Sequence, residues 1–421
     1  MKTWLTYLAA AAFGLAFGIT FKDSAGYISF ITFVSEIVLR LGAFIVFPLA
    51  FFTMSSGTAS LSRKPGRTSY VWLTTILWAA LTTIVLSIIT VVIFRIIPVA
   101  FPATSTVPES AEQAAQIESL LAGSTLSRLS SANPLSFNAF VNFIKSADCL
   151  LPIILLALVF GYAVRPTSEI IRPAYITLNS ISEVMFRLAK KVASLLWIGI
   201  FFISGTWFHQ LSSDASKSGS MKFIVFCAMI GVFMLLGFIP FIYALMTGFR
   251  RNPYRQILRL LSAGVASFFS VNYLFSQSAL YTDCRINLGI QKNVVSTALP
   301  IHSILTKGGS ALVSSLCTCS LVFAINGSLP TTVQMLTIAL ACTLASFISA
   351  LHAGYEVLFT TTFALGLMSV DMSGAQLAII GMLPLLNGTA LLLDIMLAGL
   401  GTSFTACHLN ADCHITAKDN I

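Results

Sequence analysis

Charge is what this sequence has least of. Its 24 Lys and Arg and 15 Asp and Glu make up 9% of 421 residues, against roughly 25% in soluble domains. With 57% hydrophobic residues, the chain cannot clothe a water-facing surface, which excludes an ordinary soluble protein. Histidine is sparse too, five residues scattered along the chain. No GxSxG or HExxH run occurs, so the nucleophile–base and zinc–base pairings that mark hydrolases and peptidases are missing and no enzyme is expected. The eight cysteines lie almost entirely in apolar stretches. Cys317-Thr318-Cys319 and Cys407…Cys413 are the only close pairs, and neither has a metal-ligand spacing. They read as buried, inert thiols, and neither a cofactor nor a metal site is expected.

What is there instead is a series of long apolar runs, long enough together for eight to ten membrane segments at about 20 residues each. The net charge of +9 does not point to nucleic acid, because the basic residues cluster between those runs. Arg63, Lys64 and Arg67 form one cluster, Arg165, Arg172, Arg187, Lys190 and Lys191 a second, and Arg250, Arg251, Arg255 and Arg259 a third. The connections between them hold Glu109, Glu112, Glu118 and Asp214 instead. By the positive-inside rule the basic connections face the cytoplasm, which places the N-terminus inside a multi-pass protein of the cell (inner) membrane, surrounded by lipid. Residues 1–20 have the outline of a signal peptide, but their apolar run is long for one, and the alternation of charge works when they stay as a first helix.

The runs predict helices at about 4–21, 28–56 and 70–98, then an external loop over 101–136 rich in Ser, Ala, Thr, Pro and Glu. Helices at about 137–164, 176–211 and 223–249 follow. Beyond residue 253 the pattern is less regular. Residues 255–290 carry Ser276-Gln277-Ser278 near their middle, and residues 330–368 carry Ser349-Ala350-Leu351-His352-Ala353-Gly354. Each reads as a helical hairpin that enters and leaves on one side. Between them, residues 292–324 are interrupted by Thr306-Lys307-Gly308-Gly309-Ser310, and a last helix at about 375–407 holds Asp394. Backbone that leaves the helix at membrane depth survives only where protein or a water-filled cavity satisfies it. A broken apolar helix is therefore the best pointer to a transporter's binding site, and hairpin, helix, hairpin, helix is the order of an inverted repeat.

Ile45-Val46-Phe47-Pro48-Leu49-Ala50-Phe51-Phe52, Asn133-Pro134, Leu151-Pro152-Ile153-Ile154…Gly161, Ser276-Gln277-Ser278…Leu288-Gly289-Ile290, Leu299-Pro300-Ile301 and Gln334…Leu344-Ala345-Ser346 follow one another in a specific order and spacing. In these the chain resembles the dicarboxylate/amino acid:cation symporters, the glutamate-transporter family, over nearly its whole length. The resemblance implies an all-α polytopic fold of eight transmembrane helices plus two re-entrant helical hairpins. It also implies a homotrimer whose transport domains move as elevators while a scaffold stays fixed. The divisions it suggests are residues 1–69 for scaffold helices one and two and 70–98 for a transport-domain third helix. Residues 99–211 would hold the external loop and scaffold helices four and five, and 212–421 the rest of the transport domain. The implied function is symport of a small organic solute, an amino acid or dicarboxylate, with sodium as the coupling ion.

The departures fall at the implied ligands. The family's Asn-Met-Asp-Gly-Thr-Ala-Leu is here Thr306-Lys307-Gly308-Gly309-Ser310-Ala311-Leu312, which removes two oxygen ligands from a hard cation. In the last helix only Asp394 keeps its acid. Gly401-Thr402 stands at the substrate-gripping arginine and its neighbour, Thr405 at an asparagine, Leu409 at a final aspartate, and His352-Ala353-Gly354 replaces a glycine-proline-glycine hairpin tip. The resemblance thus places substrate contacts at Ser276, Ser278, Ser310, Gly354, Asp394, Thr402 and Thr405. Lys307, with Thr306, Gly308, Gly309, His352 and Glu356 about it, would mimic or couple the cation. Its ammonium would occupy the space of a bound ion, with Asp394 the first candidate partner and Glu356 and Asp283 the others. Snorkelling of Lys307 to an interface is the competing reading. Ser276 and Ser278 read equally as helix caps. His352–Glu356 and Glu36–Arg40 read as i,i+4 pairs, and His408, Asp412 and His414 as a solvated helix end. A cation-independent or proton-coupled transporter of another solute, and a non-transporting or channel-like relative, both remain open.

Overall fold

The computed structural model describes residues 3–21, 24–63, 66–102, 150–167, 169–214, 218–350, 354–368, 379 and 381–411. Among them every regular element is a helix. Residues 103–149, which hold most of the expected external loop with Asn133-Pro134 and the first part of the helix expected at 137–164, lie outside the described residues, as do His352, Asp412, Cys413 and His414.

Five of the described helices come first: α1 (Thr3–Thr20), α2 (Ala25–Leu61), α3 (Arg67–Ile96), α4 (Leu150–Ala163) and α5 (Arg172–Asp214). α1 and α2 pack on α5, and α4 packs on α2; they leave large apolar side chains such as Phe13, Phe33, Phe44 and Val159 exposed. An apolar exterior of this kind is matched to lipid. α3 differs. It turns hydroxyls inward, and Ser87 links to Ser315 (2.8 Å) and donates to the Ala339 carbonyl (2.9 Å). Such small polar contacts tie helices together where the hydrophobic effect cannot.

α6 (Ser218–Phe233) continues through a π-turn at Met234–Phe238 into α7 (Ile239–Met246). α8 (Pro253–Ser270) and α9 (Tyr273–Thr282) then fold back on each other. The reversal falls at Val271, a β-branched residue in the left-handed region (φ 51), and Asn272, whose side chain caps α9 by accepting the Leu274 N–H at 2.9 Å. It does not fall at Ser276–Ser278, which lie inside α9. Asparagine before a helix satisfies the orphan N–H groups more readily than a serine three residues into it.

α10 (Lys292–Leu305) and α11 (Gly308–Asn326) are the halves of the broken helix. α12 (Thr332–Ser349), opened by a Thr331–Gln334 capping box, pairs with α13 (Glu356–Leu367) as a second hairpin. α14 (Leu383–His408) ends the described chain and packs on α8, α10 and α11. Its start at Leu383 is later than the expected 375, and 369–378 lie outside the described residues. Among the described residues, eight helices are long and apolar enough to cross a membrane by length and composition. The count equals the expected eight, but α12, an arm of the second hairpin, is among them, and α4, described from Leu150 onward, is not. Glu36 and Arg40 are both exposed on α2, and no ion pair joins them.

Candidate functional site

The helix break is two residues long. Thr306 (φ −86, ψ 88) and Lys307 (φ −116, ψ 31) leave helical geometry, and Gly308–Ser310 already form the first turn of α11. That turn would leave N–H groups without partners. α14 supplies the missing acceptor: Asp394 Oδ1 accepts from Gly309 N–H (2.7 Å) and Ser310 N–H (3.1 Å), and Oδ2 accepts from the Ser310 hydroxyl (2.5 Å). A carboxylate at a helix N-terminus is favoured by the dipole as well as by these bonds.

Lys307 points into the same place. Its side chain is wholly buried, its Nζ stands 3.7 Å from Asp394 Oδ2, and it lies 4.7 Å from the centre of the Tyr273 ring. Complete burial rules out the snorkelling reading. Tyr273 opens α9, and its hydroxyl donates to the Ala350 carbonyl (3.3 Å) at the end of α12. Glu356, first residue of α13, is equally buried and within electrostatic reach of Lys307. Its Oε2 accepts from Gly354 N–H (3.0 Å) and Asn387 Nδ2 (2.7 Å). Gly354 has φ 89, a backbone state that favours glycine. Both hairpins, the helix break and α14 therefore meet around one lysine and two acids. Lys307 Nζ, Glu356 Oε1 and Ser278 Oγ are buried there or nearby without a hydrogen-bond partner.

The remaining expected residues are placed differently. Ser276 donates to the Tyr273 carbonyl of its own helix (2.9 Å), and Thr402 to that of Ala398 (2.9 Å). Thr306 donates to the His302 carbonyl (2.6 Å). Thr405 meets His302 Nε2 (3.3 Å) about 16 Å along α14 from Asp394, at 1.5 Å per residue. Asp283, the third candidate partner of Lys307, is engaged by Ser262, the Ala263 N–H and Asn287 within the first hairpin. Gly308 and Gly309 hold α11 close to its neighbours. A Cβ at 308 would meet Leu397 (2.8 Å) and Leu86 (2.9 Å), and one at 309 would meet the Ala390 carbonyl and Leu393 (2.5 Å). An acid at 308 therefore needs the Leu397 and Leu86 side chains to shift. A Cβ at 401 would likewise meet Trp78 (2.5 Å) and His302 (2.6 Å). With no acid at 308 and the Asp394 oxygens taken by three donors and an ammonium, this position does not fit a sodium ion, which needs several free oxygens.

Tyr273, Asn387, His302 and Trp78 were not anticipated. Asn387 had a signal, since it lies seven residues before Asp394 and hence on the same face of α14. Tyr273, His302 and Trp78 had none beyond being apolar or singly placed.

A fold of apolar helices in which two hairpins and a helix break enclose buried charge defines a multi-pass membrane transporter. The chain belongs to the sodium:dicarboxylate symporter family, whose family model matches residues 3–396. That is a family of transporters, not enzymes, and Gly401, Thr402 and Thr405 lie beyond the matched residues. The chain is 25% identical over 168 residues to neutral amino acid transporter A of Bos taurus, which is 39% of this chain and 31% of that one. It is 24% identical over 248 residues to serine/threonine transporter SstT of Streptococcus thermophilus strain CNRZ 1066, 58% and 51% of the two chains. To neutral amino acid transporter B(0) of Oryctolagus cuniculus it is 24% identical over 410 residues, 89% and 74%. The first two matches thus span about a third to a half of those relatives.

Proposed function

We propose that the protein is a secondary active transporter of a small organic solute, an amino acid or a dicarboxylate, in which Lys307 stands where the family resemblance implies a coupling cation. The observation that carries this reading is the fully buried Lys307–Asp394 pair at the helix break. An intramembrane lysine is costly and is retained where it has work and a partner. Here the ammonium supplies the positive charge beside Asp394 that a bound ion would otherwise bring, so this position needs no sodium. Family membership and the names of the matched relatives support the solute class. On the same reading the protein is a homotrimer in the cell membrane with its N-terminus in the cytoplasm. α3 and α6–α14 then move as a unit against α1, α2, α4 and α5, with both hairpins re-entrant and the second as the outer gate.

The test is thermal unfolding of the purified protein in sodium, potassium and choline chloride, with L-aspartate, L-glutamate, L-serine, L-alanine or succinate added. A solute at about 100 times its dissociation constant stabilises by roughly 2.7 kcal/mol. The expected result is a shift with at least one solute that is the same in all three salts. A shift that requires sodium would overturn the Lys307 reading and leave the transporter reading standing.

A further inference from the structure

We infer that Glu356 binds a proton through its Oε1 and that the proton is thereby the coupling ion of this transporter, an inference that rests on the transport reading above. The site contains one cation and two acids, all buried. Asp394 is engaged as an anion, with two backbone N–H groups, a hydroxyl and the Lys307 ammonium directed at its oxygens. One positive charge therefore balances one negative charge, and Glu356 is the acid left over. Its two oxygens are not equivalent. Oε2 accepts from Gly354 and Asn387, whereas Oε1 is buried and has no donor. A bare carboxylate oxygen away from water is costly. A proton on Oε1 removes the uncompensated charge and fits without a cavity.

Among the described residues, no other charged side chain faces Glu356 from the elements packed against it. α13 carries only Glu356, α12 carries none, and α11 carries none beyond Lys307 at its N-cap. On α14 the only others are Asp394 and, about 20 Å further along, His408. The thiols Cys317 and Cys319 stand at least about 15 Å down α11 from Lys307, and Cys342 is set back two turns along α12.

Position ties this proton to movement. Glu356 begins the second arm of the hairpin, holds Gly354 of the turn before it, and is held by Asn387 of α14, whose Oδ1 also accepts the Val357 N–H at 3.1 Å. When protonated, the hairpin end docks on α14 with the site neutral. When ionised, it carries a net negative charge that water stabilises better than the protein does, which favours opening. The proton is taken from water on one side and returned on the other, with no other bond made or broken.

The experiment uses the full chain in proteoliposomes, with L-serine, L-alanine, L-aspartate and succinate as probes. Uptake is driven by a pH gradient at equal sodium, or by a sodium gradient at equal pH. In parallel, pH-difference infrared spectra record the carbonyl stretch of a protonated carboxyl in wild type, Glu356→Gln, Glu356→Asp and Asp283→Asn. The expected result is at least fivefold accumulation under the pH gradient alone. A titrating band should vanish in Glu356→Gln, shift but persist in Glu356→Asp, and remain in Asp283→Asn. Sodium-driven uptake with no response to pH would overturn the inference while leaving transport intact. If no probe moves, the solute reading fails and the spectra decide. A band that survives in Glu356→Gln overturns the proton site, and one lost only there upholds it.

Discussion

Lys307 and Asp394 come from different helices, α11's N-cap and the middle of α14, and meet 3.7 Å apart with the lysine wholly out of solvent. The same carboxylate closes the first turn of α11 through Gly309 and Ser310. One acid thus anchors a helix end and neutralises a cation at once.

Breaking this pair by Lys307→Met leaves Asp394 buried without a cation, a change that costs about 3–5 kcal/mol in comparable pairs. The double variant with Asp394→Asn is expected to recover a good part of that loss, because no charge is stranded. Chemical unfolding of the two singles and the double measures the coupling. A double variant whose loss is the sum of the two single losses would show that the residues do not act as a pair.

Gly309→Ala puts a methyl group against the Ala390 carbonyl and Leu393. The expected cost is about 1–3 kcal/mol, the usual range for overpacking. The loss arises from parting α11 from α14 and stretching the bonds to Asp394. Melting temperature reports it, and a variant as stable as wild type would mean that the two helices yield freely.

Introducing the residues that the resemblance implies at 308 and 401 should not introduce the chemistry it implies. Gly308→Asp collides with Leu86 and Leu397, and Gly401→Arg with Trp78 and His302. Both are expected to lower stability without producing a sodium- or aspartate-specific rise in melting temperature. Appearance of such a rise in either variant would show that the surrounding side chains can retreat.

Glu183 on α5 accepts from Arg285 (2.8 Å) beyond the first hairpin and stands 3.3 Å from Lys292 at the head of α10. Arg285 also lies 3.8 Å over the Phe186 ring. The pair is partly exposed, so Glu183→Gln is expected to change stability by less than about 1 kcal/mol. If α5 and α10 part during transport, the same variant changes the initial uptake rate by several-fold. An unchanged rate would count against relative movement at this contact.

The helices were legible because apolar run length and the scarcity of charge decide them before any packing does. So was the helix break at Lys307, since a lysine beside paired glycines interrupts an apolar run. What the sequence did not disclose is satisfaction. Asn272 rather than Ser276 caps the first hairpin, because only the folded geometry shows which oxygen reaches the free N–H groups. Thr405 faces His302 and Thr402 its own helix, since the hydroxyls of a buried helix have carbonyls at hand. Tyr273 was invisible because its ring face over Lys307 depends on two segments 34 positions apart meeting in space.

The Tyr273 phenol ties the head of α9 to the Ala350 carbonyl at the foot of α12, so this bond links the two hairpin ends directly. A hydrogen bond of this kind contributes about 1 kcal/mol, and either end can swing away only by giving it up. The two ends therefore form an interlock. Removing the hydroxyl with Tyr273→Phe takes this link out, and the symptom to look for is solute slipping back down its own gradient.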